Sequence, residues 1–182
     1  MAVATRPFVG TFEADRNHSS VVFGVHHMQV SMFRGSFGDL EARLVGDDAG
    51  VRLEGAVRVA SISISDPPEF RGHVVRGADF FDADNYPVIR FRSDRVELAE
   101  DGSAKAEGEL TMKGINRSIV AAGSYQSPVA DPFGSQRAAL ELRAVLDRRD
   151  WGLSWQMPVP GGGEALAWEV ELTVHLELVK QD

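Results

Sequence analysis

Cysteine is absent from the 182 residues of this chain. Without thiols the protein forms no disulfide, carries no cysteine-ligated zinc or iron–sulfur cluster, and offers no thiol nucleophile. The sequence also lacks an apolar run long enough to span a bilayer, and its first ten residues contain no apolar core of signal-peptide length. We therefore expect one domain, residues 1–182, located in the cytoplasm.

Basic residues are in the minority, with 19 lysines and arginines against 27 acidic residues and a net charge of −8. Nucleic acid and anionic membranes both attract basic surfaces, so this balance argues against either as a partner. The chain has no G-x-S-x-G elbow, no HExxH pair and no phosphate-binding glycine loop. The sequence thus indicates no catalytic residue, no metal and no cofactor.

The dominant periodicity of the sequence is two. All seven even positions from Leu166 to Leu178 are apolar, and the odd positions from 169 to 177 are polar. Such alternation indicates a strand with one buried face. The same pattern, or an apolar run of strand length, recurs at eight further places: Phe8–Ala14, Ser20–His27, Phe33–Val45, 51–59, Val88–Leu98, 106–112, Arg117–Gln126 and 138–146. About eight or nine strands of this kind predict a closed antiparallel barrel.

Two places interrupt the strand pattern. The apolar phase changes at Gly38, which predicts a β-bulge there. The run from Asp66 to Phe81 predicts one helix around residues 67–77, with Asp66 as its N-cap and Phe70 and Val74 on one apolar face. The fold class predicted is therefore all-β, with a single helix closing the barrel.

The interior of this barrel has two interpretations, a packed core or a lumen with room for one narrow ligand. Small residues at inward positions favour the lumen, because they thin the wall: Gly35, Gly108, Ala121 and Gly123. His27 shares the face of Val21 and Val25, so it is expected to point inward, as a core histidine or as a polar anchor for a ligand. Arg148 and Arg149 stand between Asp147 and Asp150, which indicates surface ion pairs.

Six motifs in order resemble the YceI-like family of polyisoprenoid-binding, lipocalin-like proteins, from about Gly10 to Leu178. The family pattern His-Ser-x-Val-x-Phe-x-Val-x-His matches residues 18–27, Arg-Gly-x-Phe matches 34–37, and Tyr-Pro-x-Ile-x-Phe-x-Ser matches 86–93. In the helical motif at 71–81, His73 and the Asp-Phe-Phe of 79–81 fit, whereas Gly72, Val74 and Gly77 depart from it. The remaining matches are the hairpin at 108–117 and the loops at 131–134 and 150–152.

The resemblance implies an extended eight-stranded antiparallel barrel that encloses a long apolar chain. Family members bind polyisoprenoids, including isoprenoid quinones and isoprenyl phosphates, or fatty-acid derivatives. The partner expected is thus a long-chain isoprenoid or acyl lipid, and a homodimer through a barrel face has the resemblance as its only support.

The candidate binding residues form two groups. The apolar wall is expected to contain Val21, Phe23, Val25, Phe33, Phe37, Phe80, Phe91, Leu110, Met112, Leu140, Leu142, Trp151, Trp168 and Val170. Polar contacts to a head group are expected from His18, His27, Arg34, His73 and Arg76.

Three functions are open at this point. The first is a carrier or sequestering protein for a long apolar lipid. The second is an isomerase or cyclase on the same barrel, with His27 or His18 as acid and base, because imidazole titrates near neutral pH. The third is an interaction protein with a solid core.

Overall fold

The structure is a computed structural model that describes residues 6–182. These residues form ten strands and one α-helix. The helix, α1, spans Pro68–Arg76. The strands are β1 Gly10–Ala14, β2 Ser20–His27, β3 Ser31–Phe37, β4 Leu40–Asp47, β5 Gly50–Arg58, β6 Val88–Leu98, β7 Ser103–Met112, β8 Ile115–Ala130, β9 Gln136–Asp147 and β10 Leu166–Lys180.

The ten strands occupy eight positions of a closed antiparallel barrel. The order β1-β4-β5-β6-β7-β8-β9-β10 returns to its start because β1 also pairs with β10. β1 pairs with the end of β10 near Lys180, while β2 pairs with the beginning of β10 from Leu166 to His175. β1 and β2 therefore share one position, β3 and β4 share the next, and the predicted eight-stranded barrel is confirmed.

The change of phase at Gly38 is a break between two strands, so the predicted bulge is wrong. β3 ends at Phe37 and β4 begins at Leu40. The Gly38 N–H donates to the Ser61 carbonyl at 3.0 Å, and the Ser63 N–H donates to the Ser36 carbonyl at 2.8 Å. The segment after β5 thus pairs with the end of β3 and separates it from β4.

Helix α1, the β2–β3 turn and residues 152–165 lie together at one end of the barrel and cover it. This end is called the helix end below. The helix has Pro67 as its N-cap, so the predicted cap Asp66 is wrong by one residue. Val74 and Val75 form its buried face, whereas Phe70 is 43% exposed, contrary to the predicted face.

The opposite end, called the far end, holds the β4–β5, β6–β7 and β8–β9 turns and a solid core. Phe8, Phe12, Leu44 and Leu178 are there exposed by 1% or less. A second group of buried residues, including Val59 and Trp151, packs at the helix end. The barrel is therefore filled at both ends.

Glycines in the barrel wall are required for two different reasons, a close neighbouring backbone or a close aromatic ring. A Cβ at Gly108 would lie 2.2 Å from the Arg92 carbonyl oxygen, and one at Gly123 would lie 2.0 Å from the Glu141 carbonyl oxygen. The prediction that these two thin the lining is wrong, because the neighbouring strand passes too close for any side chain. At Gly35 the same atom would lie 2.4 Å from Phe23 Cζ, so this glycine leaves room for an aromatic ring.

Candidate ligand cavity

A cavity of about 220 Å³ lies inside the barrel between the two cores. Strands β2–β10 supply its wall, with residues of the helix end at one side. Several wall residues, such as Phe23 and Leu172, are only half-buried, although they point into the barrel, because they border this space. The interior of the barrel formed by residues 6–182 thus contains a lumen, and of the two interpretations left open by the sequence this favours the lumen over the packed core.

Eleven of the predicted apolar residues line this cavity. They come from six strands and from the segments at the helix end, and they are Val21, Phe23, Val25, Phe37, Phe80, Phe91, Leu110, Met112, Leu142, Trp151 and Val170. Alternation accounts for the nine on strands, because the period of a strand decides which face each side chain occupies, whereas Phe80 and Trp151 lie outside the strands.

Three predicted wall residues lie elsewhere. Leu140 packs in the far-end core and is 1% exposed, because it is one inward position beyond the lumen. Phe33 is 38% exposed on β3, which among the described strands pairs only with β2. Trp168 lies in a bulge, since three residues separate Leu166 from Val170 on β10, whereas only one residue separates their partners His27 and Val25 on β2.

Further wall residues went unpredicted. Some of them follow the same alternation, so the sequence pattern could have predicted them. They include Leu53 and Val57 on β5 and Leu172, Val174 and Leu176 on β10. Phe81 and Leu153 lie outside the strands, where period two gives no information.

Arg148 is the main polar feature beside the lumen. It is 4% exposed, so the prediction of a surface ion pair is wrong for this residue. Its guanidinium donates to the carbonyls of Leu153 at 2.6 Å, Trp155 at 2.8 Å, and Ala167 and Leu166 at 2.9 Å each. These bonds fasten the loop after β9 to the beginning of β10.

The Arg148 guanidinium is removed from water, and no carboxylate pairs with it among the described residues. Burial lowers the pKa of Arg148 to about 10, because a charged group loses hydration there. The guanidinium also stacks on the Trp168 ring, with Cζ 4.2 Å from the ring centroid. Arg149, the next residue, lies over the same ring and forms the surface ion pair with Asp147.

None of the five predicted polar residues belongs to the cavity wall. His27 is exposed, contrary to the inward orientation predicted, because β2 ends there beyond Val25. Arg34 is exposed on β3. On the helix, His73 Nε2 is 2.8 Å from Asp79 Oδ1, and Arg76 faces Asp84 at 3.9 Å. An acid–base reaction inside the lumen thus lacks the histidine it was expected to use.

His18 lies outside the barrel in a charged cluster. Its Nδ1 is 3.0 Å from Asp15 Oδ2 and 4.0 Å from Glu177 Oε1, a spacing that would suit a metal ion. A cation already occupies this position, since Arg137 Nη1 donates to the same Asp15 oxygen at 2.9 Å and to Glu177 Oε1 at 2.6 Å. Arg137, and then His18, hold the pKa of Asp15 far below its usual range. The cluster is an electrostatic clamp between β1, β9 and β10.

Within residues 6–182, no helix has the length and apolar character needed to cross a membrane.

Comparison with known proteins agrees with this geometry. The family model for the YceI-like domain matches residues 12–178. A UPF0312 protein of Vibrio cholerae is 29% identical over 165 residues, which are 90% of this chain and 83% of the relative. Burkholderia cenocepacia BcnA superposes with a TM-score of 0.73 at 22% identity, covering 92% of this chain and 99% of BcnA. A polyisoprenoid binding domain from Saccharophagus degradans has a TM-score of 0.69 at 13% identity, over 96% and 100% of the two chains.

Proposed function

Because this chain belongs to the family of YceI-like domains, we propose that it binds a long apolar lipid inside its barrel and carries or sequesters it without catalysis. The ligand class is a polyisoprenoid, an isoprenoid quinone or a fatty-acid derivative. The polyisoprenoid binding domain of Saccharophagus degradans, which shares the fold, supports this class.

The observation that carries the proposal is the apolar wall of the lumen. Of its charged members, Glu41 is exposed, and Arg148 donates four hydrogen bonds to backbone carbonyls. Every other wall residue is apolar or glycine. Such a wall offers burial to a hydrocarbon and no polar anchor to a hydrophilic metabolite.

The binding free energy then depends on chain length. Each buried CH₂ contributes about 0.8 kcal/mol, so ten carbons supply about 8 kcal/mol before the cost of association, about 4–15 kcal/mol, is subtracted. Each added carbon that enters the lumen therefore tightens binding about fourfold. Short chains bind poorly for the same reason.

The volume of the lumen limits the length of chain that it can hold without rearrangement. About 220 Å³ is less than the roughly 300–1,000 Å³ of typical small-molecule sites. Five phenylalanines line the lumen, and three of them, Phe23, Phe81 and Phe91, are only half-buried. We infer that these rings rotate to lengthen the lumen when a long chain enters.

Native mass spectrometry tests the proposal. The purified protein is expected to carry an extractable lipid, or to take up one equivalent of a prenyl or acyl ligand when delipidated. A protein that stays ligand-free with every chain offered, from short acyl to long prenyl, would contradict it.

A further inference from the structure

Apolar side chains project from the helix end of the barrel at two adjoining loops. In the β2–β3 turn, Val30 is 85% exposed and Met28 is 36% exposed. In the loop between β9 and β10, Met157 is 53% exposed. The Met28 N–H donates to the Ala165 carbonyl at 2.7 Å, and Gln29 Nε2 donates to the Gly162 carbonyl at 3.2 Å. We call the residues 28–30 and 157–163, held together in this way, the rim.

The rim is unusual in this chain for its lack of acidic charge. Residues 17–38 contain no aspartate or glutamate, and residues 151–163 contain no charged side chain at all, although the chain has a net charge of −8. Glu164 follows at the base of the loop, where its backbone forms an isolated antiparallel β-bridge with Pro158. An apolar surface without acidic groups can leave water at little electrostatic cost.

A row of aromatic rings connects the rim to the lumen. The ring of Phe33, half-exposed on β3, is 6.1 Å from that of Phe23, which is 5.6 Å from Phe37, which is 6.0 Å from Phe81. The last three line the lumen. The row follows β3, whose outer edge pairs, within the described residues, only near Ser36 and Phe37 and not from Ser31 to Gly35.

We propose that the rim docks on the surface of an uncharged lipid bilayer, and that an apolar chain passes from the bilayer along Phe33 and Phe23 into the lumen. The second half rests on the proposed lipid-binding function, whereas the docking does not. A bilayer fits better than a protein partner, because the rim consists of separate apolar tips on two loops and presents no groove and no charged pattern to match. The net charge selects against anionic lipid.

Flotation of ligand-free protein with phosphatidylcholine vesicles tests the docking. Wild type is expected to float with the vesicles. Val30→Glu is expected to bind the vesicles about tenfold more weakly or worse, since an apolar side chain that the bilayer would bury is replaced by a charged one. Phe133→Glu is the matched control: Phe133 is 89% exposed in the β8–β9 turn at the far end, so its variant should bind like wild type. Wild type that does not float, or an equal loss in the control, would overturn the proposal. Binding that grows when phosphatidylglycerol is added would overturn the assignment to an uncharged surface.

A fluorescent acyl probe separates docking from lipid binding. Val30→Glu should take up the probe from solution with wild-type affinity, because Val30 is not part of the wall, but should extract it from phosphatidylcholine vesicles about tenfold more slowly. Equal extraction rates would refute the role of the rim in transfer. Vesicle binding without any uptake of the probe would contradict the proposed function and leave the docking supported.

Discussion

Filling the lumen with one side chain tests whether the ligand lies inside the barrel. Ala144 on β9 lines the lumen and is only half-buried, and its neighbour across the sheet is Leu172, another wall residue. Ala144→Leu places three more carbons in this space. The barrel is expected to stay folded, because the added carbons enter an existing cavity rather than a packed core.

The expected loss of affinity follows from the ligand carbons displaced. If three added carbons exclude about three methylene groups of the ligand, binding weakens by about 2.4 kcal/mol, or roughly 50-fold. In a cavity of about 220 Å³ this is a substantial share of the available space.

The assay is a fluorescence titration with a prenyl or acyl probe, combined with urea unfolding. Ala122→Leu is the control, because Ala122 is exposed on the outer face of β8, beside Arg143 of β9. Its affinity should stay within about twofold of wild type, as for most surface substitutions. A folded Ala144→Leu that binds as tightly as wild type would refute a ligand in the lumen.

Three further predictions concern stability. Arg148→Met should lower the free energy of unfolding by about 2–4 kcal/mol in urea titrations, because the carbonyls of Leu153, Trp155 and Ala167 lose this donor, while the Leu166 carbonyl keeps Gln156 Nε2 and the cost of burying the charge is recovered. Gly123→Ala should destabilise by about 2 kcal/mol or more, since its Cβ would lie 2.0 Å from a carbonyl oxygen, whereas Gly72→Ala, in open space on α1, should stabilise by about 0.5–1 kcal/mol. Asp15→Asn should lower the thermal midpoint at neutral pH, and this difference from wild type should shrink as the pH falls below 3.8, because the folded-state pKa of Asp15 is lowered, so that its stabilisation is complete above the unfolded value and is lost as the pH falls towards the folded-state pKa.

Each of these has an outcome that contradicts it. Arg149→Met, which removes an exposed ion pair with Asp147, should destabilise the fold much less than Arg148→Met, and an equal loss in both arginine variants would refute the special role of Arg148. Gly123→Ala as stable as wild type would show that the strands can separate there. A pH-independent difference in thermal midpoint for Asp15→Asn would show that its charge does not stabilise the fold.

Alternation predicted most of the barrel because period two alone decides which side chains face inward. The bounds of β2 and β6 agree with those predicted, and so does the inward position of residues such as Val21 and Phe91. The helix lies where the prolines at 67 and 68 predicted it, shifted by one residue at its start.

The errors occur where the local backbone overrides the period. Trp168 has the inward parity, but a bulge turns it onto Arg148. Arg148 is charged and lies just after a strand, so no sequence pattern marks it as buried beside the lumen. His27 has the parity of Val25 but comes at the strand end, where the wall stops. Close backbone contacts, as at Gly123, depend on how neighbouring strands coil and leave no trace in the local sequence.

A crystal structure of the delipidated protein after soaking with a prenyl or long acyl ligand tests the central claim most directly. The account predicts continuous electron density along the barrel axis, in contact with Phe91, Leu142 and Val170, with the phenylalanine rings of the wall rotated away from it. Density for the ligand only on the outer surface, with the lumen unchanged, would contradict it.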